Sequence, residues 1–115
     1  MTTVFVADDS ALARRAIASK VSAAGLAVVE GESAVLDAAV DVAGLACALV
    51  DLDLGDGDGT QLASELRRQS PALPIAFFTG GAPEAVLARA KEYGPVFFKP
   101  AELDRAIDWI TRNAG

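Results

Sequence analysis

The sequence predicts an α/β fold in which a five-stranded parallel sheet carries helices on both faces. Short apolar runs alternate along the chain with longer segments whose apolar residues recur at helical spacing. The short runs are continuously apolar, which is typical of strands that helices cover on both faces. With 115 residues, 52% of them hydrophobic, the chain has the size and core of one domain, residues 1–115.

Five short segments rich in β-branched and aromatic residues predict the strands of this sheet. Each lies next to Asp, Gly or Pro, which are typical of the turns that bound strands. The longest segment is apolar throughout, which indicates a strand that is buried on both faces. The predicted strands are residues 4–7, 26–29, 45–50, 75–78 and 96–98.

Five segments with helical apolar spacing predict one helix after each strand. Ser10 is the expected N-cap of the first helix, which Gly25 ends. Ser33 is the expected N-cap of the second helix, which Gly44 ends. The fourth helix begins near Pro83, a residue that the first helical turn tolerates. The second helix is predicted from the stripe Leu36, Ala39, Val40 and Ala43, and the third and fifth helices cover residues 60–69 and 102–112.

The acidic composition disfavours two classes of partner. The formal net charge is −6, and the isoelectric point is near 4.4. Phosphate backbones and anionic membrane surfaces both attract clustered Lys and Arg, so we expect no direct nucleic-acid or membrane partner. No apolar stretch approaches the roughly 20 residues that a membrane helix needs.

The cysteine and histidine content narrows the chemistry further. Cys47 is the only cysteine and lies in an apolar run, so a core role is expected and an internal disulfide is excluded. The residues after Met1 do not resemble a signal peptide. Both observations favour a cytoplasmic location. Because the chain has no histidine, Ser–His and Cys–His nucleophile pairs and His-ligated zinc are excluded.

Polar residues follow four of the five predicted strands. Asp8 and Asp9 come after the first strand, Asp51 after the third, Thr79 after the fourth and Lys99 after the fifth. Open α/β sheets bind ligands at the carboxyl ends of their strands, so we expect these side chains to meet at one edge of the sheet.

Three carboxylates at one edge repel each other unless a cation is bound. Two like charges about 4 Å apart cost on the order of 4 kcal/mol at an effective dielectric near 20. A hard divalent cation such as Mg²⁺ prefers oxygen ligands and relieves this repulsion. Lys99 and Thr79 would then contact phosphoryl oxygens, and one carboxylate would act as a nucleophile. Taken singly, each residue also fits a helix cap, a turn or a solvated surface.

Five short motifs occur in register along the chain. They are Val6-Ala7-Asp8-Asp9-Ser10, Leu49-Val50-Asp51-Leu52-Asp53-Leu54, Asp58-Gly59, Phe78-Thr79-Gly80 and Phe98-Lys99-Pro100. In their order and spacing, these motifs together resemble the response-regulator receiver domain of two-component signal transduction. The resemblance spans the whole chain, and it implies the flavodoxin-like strand order 2-1-3-4-5.

The resemblance implies a phosphoacceptor and a metal site. Asp51 would accept a phosphoryl group from a phosphohistidine on a histidine kinase or a histidine phosphotransfer protein. Asp9 and Asp51 would bind Mg²⁺ (or Mn²⁺) directly, together with the backbone carbonyl of Asp53. Asp8 would hold the metal through water. Such a domain catalyses its own phosphorylation and dephosphorylation but turns over no separate substrate.

The resemblance also implies a switch around the phosphoryl group. Thr79 would move toward the phosphoryl group, and Lys99 would pair with it. Gly80, next to Thr79, is small and would leave room for the phosphoryl oxygens.

Three departures from the family pattern concern the output of this switch. Val96 stands where the family commonly has Tyr or Phe, and Gly55 stands where it usually has proline. The loop at Gly94 and Pro95 is shortened. The partner surface near the fifth strand would include Val96. Trp109, at the edge of the last helix's apolar stripe, belongs either to this surface or to a partly buried position against the sheet.

Two other functions remain as alternatives. A pseudo-receiver that binds proteins without being phosphorylated is consistent with the missing aromatic residue at Val96. The Asp-x-Asp pair formed by Asp51 and Asp53 also resembles haloacid-dehalogenase-like phosphatases. In that family, however, the acidic pair follows the Asp-x-Asp segment, whereas here Asp8 and Asp9 precede it.

Overall fold

A computed structural model describes all residues, 1–115, and it contains five strands. The strands are β1 (Thr3–Ala7), β2 (Ala27–Gly31), β3 (Leu45–Val50), β4 (Ile75–Thr79) and β5 (Val96–Phe98). They form one parallel sheet in the order β2-β1-β3-β4-β5. The predicted fold class and strand order are therefore confirmed, and the predicted bounds of β3 and β5 agree with the observed ones.

Four α-helices cover the sheet. They are α1 (Ala11–Ala23), α2 (Gly59–Gln69), α3 (Glu84–Lys91) and α4 (Leu103–Ala114). The Ser10 side chain accepts a hydrogen bond from the Ala13 N–H, which confirms Ser10 as the N-cap of α1. None of these helices combines the length and apolar character that crossing a membrane requires.

Alternation of side chains along the strands produces a separate core on each face of the sheet. Val4 and Val6 of β1 point to the face on which α1 and α4 pack. Phe5 and Ala7 point to the opposite face, on which α2 and α3 pack. Cys47 is fully buried and its thiol is free, as expected of a core residue.

The helix predicted after Ser33 does not form. Only a short 3-10 helix, Val42–Gly44, precedes β3. The reason is local competition for backbone hydrogen bonds by Ser and Asp side chains. Ser33 Oγ accepts from the Val35 N–H at 3.0 Å, and Asp37 Oδ1 accepts from the Ala39 N–H at 2.9 Å. These turns take the place of helical backbone hydrogen bonds. β1 and β2 therefore have no helix over the face to which Phe5 and Ala7 point.

Backbone hydrogen bonds align the ends of the strands that carry the predicted site. The Asp51 N–H donates to the carbonyl of Ala7 at 2.8 Å, which extends the pairing of β3 with β1 by one residue. The Lys99 N–H donates to the carbonyl of Thr79 at 2.8 Å in the same way. The polar residues that follow the strands are therefore held by the sheet ladder itself.

Candidate functional site

Lys99 connects the carboxylates that follow β1 and β3. Its Nζ lies 2.7 Å from Asp8 Oδ2 and 2.9 Å from Asp51 Oδ2. Both carboxylates are buried, and Lys99 is only partly exposed. Charge-assisted hydrogen bonds of this length are among the stronger polar contacts in proteins. The structure thus brings together three of the residues that the sequence places at the carboxyl edge.

Asp9 completes a cluster of three carboxylates with Asp8 and Asp51. One oxygen from each lies within 4.8 Å of the others, and Asp9 is the exposed member. An all-oxygen donor set of this spacing fits a hard divalent cation such as Mg²⁺ or Mn²⁺. The exposed position of Asp9 provides an approach from solvent.

The second oxygen of each buried carboxylate is fixed by the backbone. Asp8 Oδ1 accepts from the Ser10 N–H at 2.9 Å, and Asp51 Oδ1 accepts from the Asp53 N–H at 3.3 Å. These contacts orient both carboxylates toward the same point. The loop after each strand therefore supports the group that the strand delivers.

Burial dominates the electrostatics of Asp51. Removal from water raises the pKa of the Asp51 carboxyl, and the nearby charge of Asp8 raises it further. The hydrogen bond and positive charge of Lys99 oppose this rise without cancelling it. For Lys99, burial lowers the pKa, but its hydrogen bonds and charge attraction to Asp8 and Asp51 prevail, and the pKa is raised.

Lys99 relieves the repulsion between the carboxylates of Asp8 and Asp51, as a bound cation is also expected to do. Its ammonium contacts Asp8 and Asp51 at once, so each buried carboxylate has a positive partner within the chain. Asp9 is not part of this arrangement. The protein is thus stabilised at the site by its own lysine as well as by any metal it binds.

Thr79 lies at the same edge, but its hydroxyl is turned toward its own loop. The side chain is buried, and Oγ1 donates to the Gly81 carbonyl at 3.1 Å and accepts from the Gly81 N–H at 3.2 Å. The predicted contact of this hydroxyl with a phosphoryl group therefore requires it to leave these partners. Gly80 borders open space, because a Cβ there would meet no atom within 4 Å.

The loop after β3 is shaped by two glycines. A Cβ on Gly59 would lie 2.2 Å from the carbonyl oxygen of Asp51, so only glycine allows α2 to begin this close to Asp51. Gly55 has a φ of 79°, which glycine adopts without strain. Asp53 is exposed, and its Oδ1 accepts from the Gly55 N–H at 3.2 Å. Its side chain therefore stabilises the loop.

The two residues predicted to contribute to a partner surface pack on opposite faces. Val96 is partly buried against the core beneath α2 and α3. Trp109 is partly buried against the core beneath α1 and α4. For Trp109, this packing agrees with the alternative of partial burial against the sheet. The structure does not join the two side chains into one surface.

Arg14 also supports the site, although the sequence indicates only that it lies off the apolar stripe of α1. Its Nη1 donates to the backbone carbonyl of Asp8 at 2.7 Å, and its Nε donates to Glu30 at 2.9 Å. Arg14 thereby fixes the chain where β1 ends. The sequence carries no clear signal for this role, because an arginine off the stripe normally faces solvent.

Comparisons with known proteins show the family and the fold of this chain. The response regulator receiver domain model matches residues 4–110. A CheY-like receiver domain protein from Methanospirillum hungatei is 17% identical, with a TM-score of 0.82 over 99% of this chain and 94% of that one. A receiver domain protein from Clostridium thermocellum is 18% identical, with a TM-score of 0.83 and the same coverage of both chains.

A third structure is similar at a higher identity. The receiver domain of NtrX from Brucella abortus is 24% identical, with a TM-score of 0.79 over 96% of each chain. No curated protein sequence matches. At these identities the structures establish the fold, whereas the family model covers nearly the whole chain and establishes the family. The chain belongs to the response regulator receiver domains of two-component signalling.

Proposed function

We propose that this receiver domain, residues 1–115, accepts a phosphoryl group on Asp51. The donor is a phosphohistidine of a histidine kinase or a histidine phosphotransfer protein, and the phosphorylated state changes which proteins the domain binds. The observation that supports this most strongly is the pair of contacts from Lys99 to Asp8 and Asp51. They hold a buried carboxylate at the sheet edge beside the exposed Asp9.

The transfer needs a nucleophile, a leaving group and compensation of negative charge. A carboxylate oxygen of Asp51 forms the new O–P bond, while the N–P bond of the phosphohistidine breaks and its electron pair stays on the imidazole. Lys99 stabilises the negative charge that develops on the phosphoryl oxygens. Its Nζ is already 2.9 Å from Asp51 Oδ2, so a small displacement brings it to a phosphoryl oxygen.

The three carboxylates are the proposed ligands of Mg²⁺ or Mn²⁺. Asp9 and Asp51 would bind the metal directly with the backbone carbonyl of Asp53, and Asp8 would hold it through water. When bound, the cation supplies positive charge that offsets the carboxylates and the incoming phosphoryl group. The same site would then catalyse both the formation and the hydrolysis of the aspartyl phosphate on Asp51. The domain would turn over no separate substrate.

Thr79 and Gly80 are proposed to receive the phosphoryl group on the β4 side. The Thr79 hydroxyl exchanges its two contacts with Gly81 for a phosphoryl oxygen, which would move the start of the loop before α3. Gly80 has the free space that this rearrangement needs. Val96 has no aromatic ring that could reorient when Asp51 is phosphorylated. We therefore assign the output to backbone movement of this loop.

The proposal also covers the location of the domain and its partners. We place the domain in the cytoplasm, where its free buried Cys47 meets reducing conditions. The net charge of −6 favours protein partners over direct contact with nucleic acid. Val96 and Trp109 stay candidates for partner contact, each on its own face of the domain.

Intact-mass measurement after incubation with a small phosphodonor and Mg²⁺ tests this function. We expect one added phosphate on the unaltered chain, none in Asp51→Asn, and none when the metal is chelated. Asp104→Asn, an exposed aspartate on α4, is the matched control and should be phosphorylated normally. An unmodified wild-type chain under these conditions would instead support the pseudo-receiver alternative.

A further inference from the structure

A groove with a mixed apolar and acidic lining lies on the sheet face where the second predicted helix does not form. Its volume is about 890 Å³, and it runs along β2 beside the segment that leads to β3. Val29 contributes its floor above the buried Phe5, and Leu36 and Val40 contribute its wall; these three side chains are partly exposed. Val35 lies at the rim and is 65% exposed.

The rim of this groove is acidic. Glu30, Glu32, Asp37 and Asp41 line it, and Arg14 is the single basic residue among the lining side chains. Four negative groups against one positive leave a net charge of −3. Arg14 is moreover paired with Glu30 at 2.9 Å and lies 3.8 Å from Glu32, so it offers little free positive charge.

The wall of the groove is held in place by the loop after β3. Asp56 Oδ1 accepts from the Ala34 N–H at 2.9 Å, and Asp56 Oδ2 accepts from the Ser33 hydroxyl. These hydrogen bonds keep the pKa of the Asp56 carboxyl below its usual range. A preformed groove binds a ligand without the ordering cost that a flexible segment would add.

We propose that this groove binds a basic amphipathic helix of a partner protein. An apolar helix face would rest on Val29 and Leu36 and contact Val35 at the rim, while flanking Lys and Arg would meet the acidic groups. Parallel sheets are normally covered by helices on both faces. Here the 32–41 segment buries Phe5 and Ala7 without forming a helix, and it leaves Val29, Leu36 and Val40 partly exposed. The docking site does not depend on phosphorylation of Asp51, so the two proposals fail or succeed separately.

Two other occupants fit the groove less well. A second copy of this chain would bring another net charge of −6 to an acidic rim, which is unfavourable. An added strand would use the backbone edge of β2, whereas the groove is formed by side chains above the sheet face. A basic helix satisfies both the apolar floor and the charge of the rim.

The test uses a panel of synthetic helical peptides of about 15 residues, roughly four turns. Each has an apolar stripe varied among Leu, Ile, Phe and Met, with Lys or Arg on both sides. Binding is followed by NMR of the labelled full chain. We expect at least one peptide to shift the resonances of Val35, Leu36 and Val40. Affinity should fall as salt is raised, because the attraction is electrostatic. Scrambled and Glu-for-Lys versions should not bind.

Three variants locate the binding. Val35→Asp and Ala39→Trp, which respectively charge and fill the groove, should each weaken binding by about tenfold or more. Leu12→Asp replaces another exposed aliphatic residue, 84% exposed on α1, and should leave binding unchanged. Circular dichroism of each variant checks that the fold is retained.

Three results would overturn the proposal. The first is that no peptide of the panel shows binding that Val35→Asp and Ala39→Trp weaken. The second is a perturbation confined to the backbone of β2, which would assign the region to strand addition. The third is self-association of the chain that Val35→Asp abolishes, which would assign the groove to a second copy.

Discussion

Lys99 has the largest electrostatic effect of any single residue at the site. It is the positive partner of two buried carboxylates that would otherwise repel each other, at 2.7 Å from Asp8 and 2.9 Å from Asp51. Breaking a buried ion pair by removing one partner leaves an uncompensated charge, which costs more than the pair contributes when intact. The same lysine therefore stabilises the site, and it is also the residue that we propose to assist phosphoryl transfer.

We expect Lys99→Met to lower the free energy of unfolding by about 3 kcal/mol at neutral pH without metal. Chemical denaturation measures this difference. Added Mg²⁺ should restore part of the loss, since the cation replaces the missing positive charge. The difference should shrink in acid, as Asp51 becomes protonated. Lys91→Met, an exposed lysine on α3, is the control and should change stability by less than about 0.5 kcal/mol.

The ionisation of Asp51 gives a second test. Its pKa is raised, so in the metal-free chain we expect the carboxyl to titrate above its ordinary value of 3.8. Folding then favours the protonated form of Asp51. As pH rises from the ordinary pKa to the raised one, the carboxyl loses its proton and the free energy of unfolding falls. Carboxyl-carbon NMR measures the midpoint. Lys99→Met should raise it further, and a wild-type midpoint below 3.8 would contradict the account.

The sequence predicts which residues lie together at the candidate site because each lies within two residues of the end of a strand. Asp8, Asp9, Asp51 and Lys99 need only the strand assignment to be placed at one edge. Their pairing is not predictable in this way, since the reach of Lys99 to two carboxylates depends on side-chain conformation. The role of Arg14 is not predictable for the same reason, because its contact with the Asp8 carbonyl also depends on side-chain conformation.

Among the secondary structure elements, the start of α2 limits the site most closely. Gly59 begins this helix where any Cβ would overlap the Asp51 carbonyl oxygen. The sequence indicates a glycine-rich loop here but not this contact. The position of the Asp51 backbone thus depends on a residue that has no chemical role of its own.

We expect Gly59→Ala to destabilise the domain by about 2 kcal/mol and to slow phosphorylation of Asp51. The added Cβ would force the backbone of residue 59 away from the carbonyl of Asp51. Thermal unfolding and the rate of mass gain measure the two effects. Gly80→Ala is the matched substitution, since a Cβ there meets no atom within 4 Å. It should leave stability within about 0.5 kcal/mol. Equal stabilities for the two variants would show that the close approach at Gly59 is unimportant.

The segment between β2 and β3 is where prediction from sequence fails. Leu36, Ala39 and Val40 have helical spacing, but Ser33 and Asp37 bond to nearby backbone N–H groups instead. Apolar spacing reports which side chains are buried, and Leu36 and Val40 are indeed partly buried against the core. It does not report whether the backbone between them is helical, because turns bury the same residues.

For the molecule as a whole, the strand order creates the site. β1 and β3 are neighbours, so residues 43 positions apart in sequence, Asp8 and Asp51, come to share one lysine. The fold class follows from the alternation of apolar runs and amphipathic segments, and the strand order follows from the family resemblance. Neither this alternation nor the family resemblance predicts the groove beside β2. The groove lies where the apolar spacing predicts a helix and the chain forms turns instead.

Chemical identification of the modified residue tests the proposed function most directly. Borohydride reduces an acyl phosphate to an alcohol and leaves phosphate esters intact, so it marks a phosphorylated aspartate permanently. After incubation with a phosphodonor and Mg²⁺, reduction and peptide sequencing by mass spectrometry should locate this change at Asp51. A modification found at Asp8, Asp9 or Asp53 instead, or a phosphate that resists reduction, would contradict the assignment of Asp51 as the phosphoacceptor.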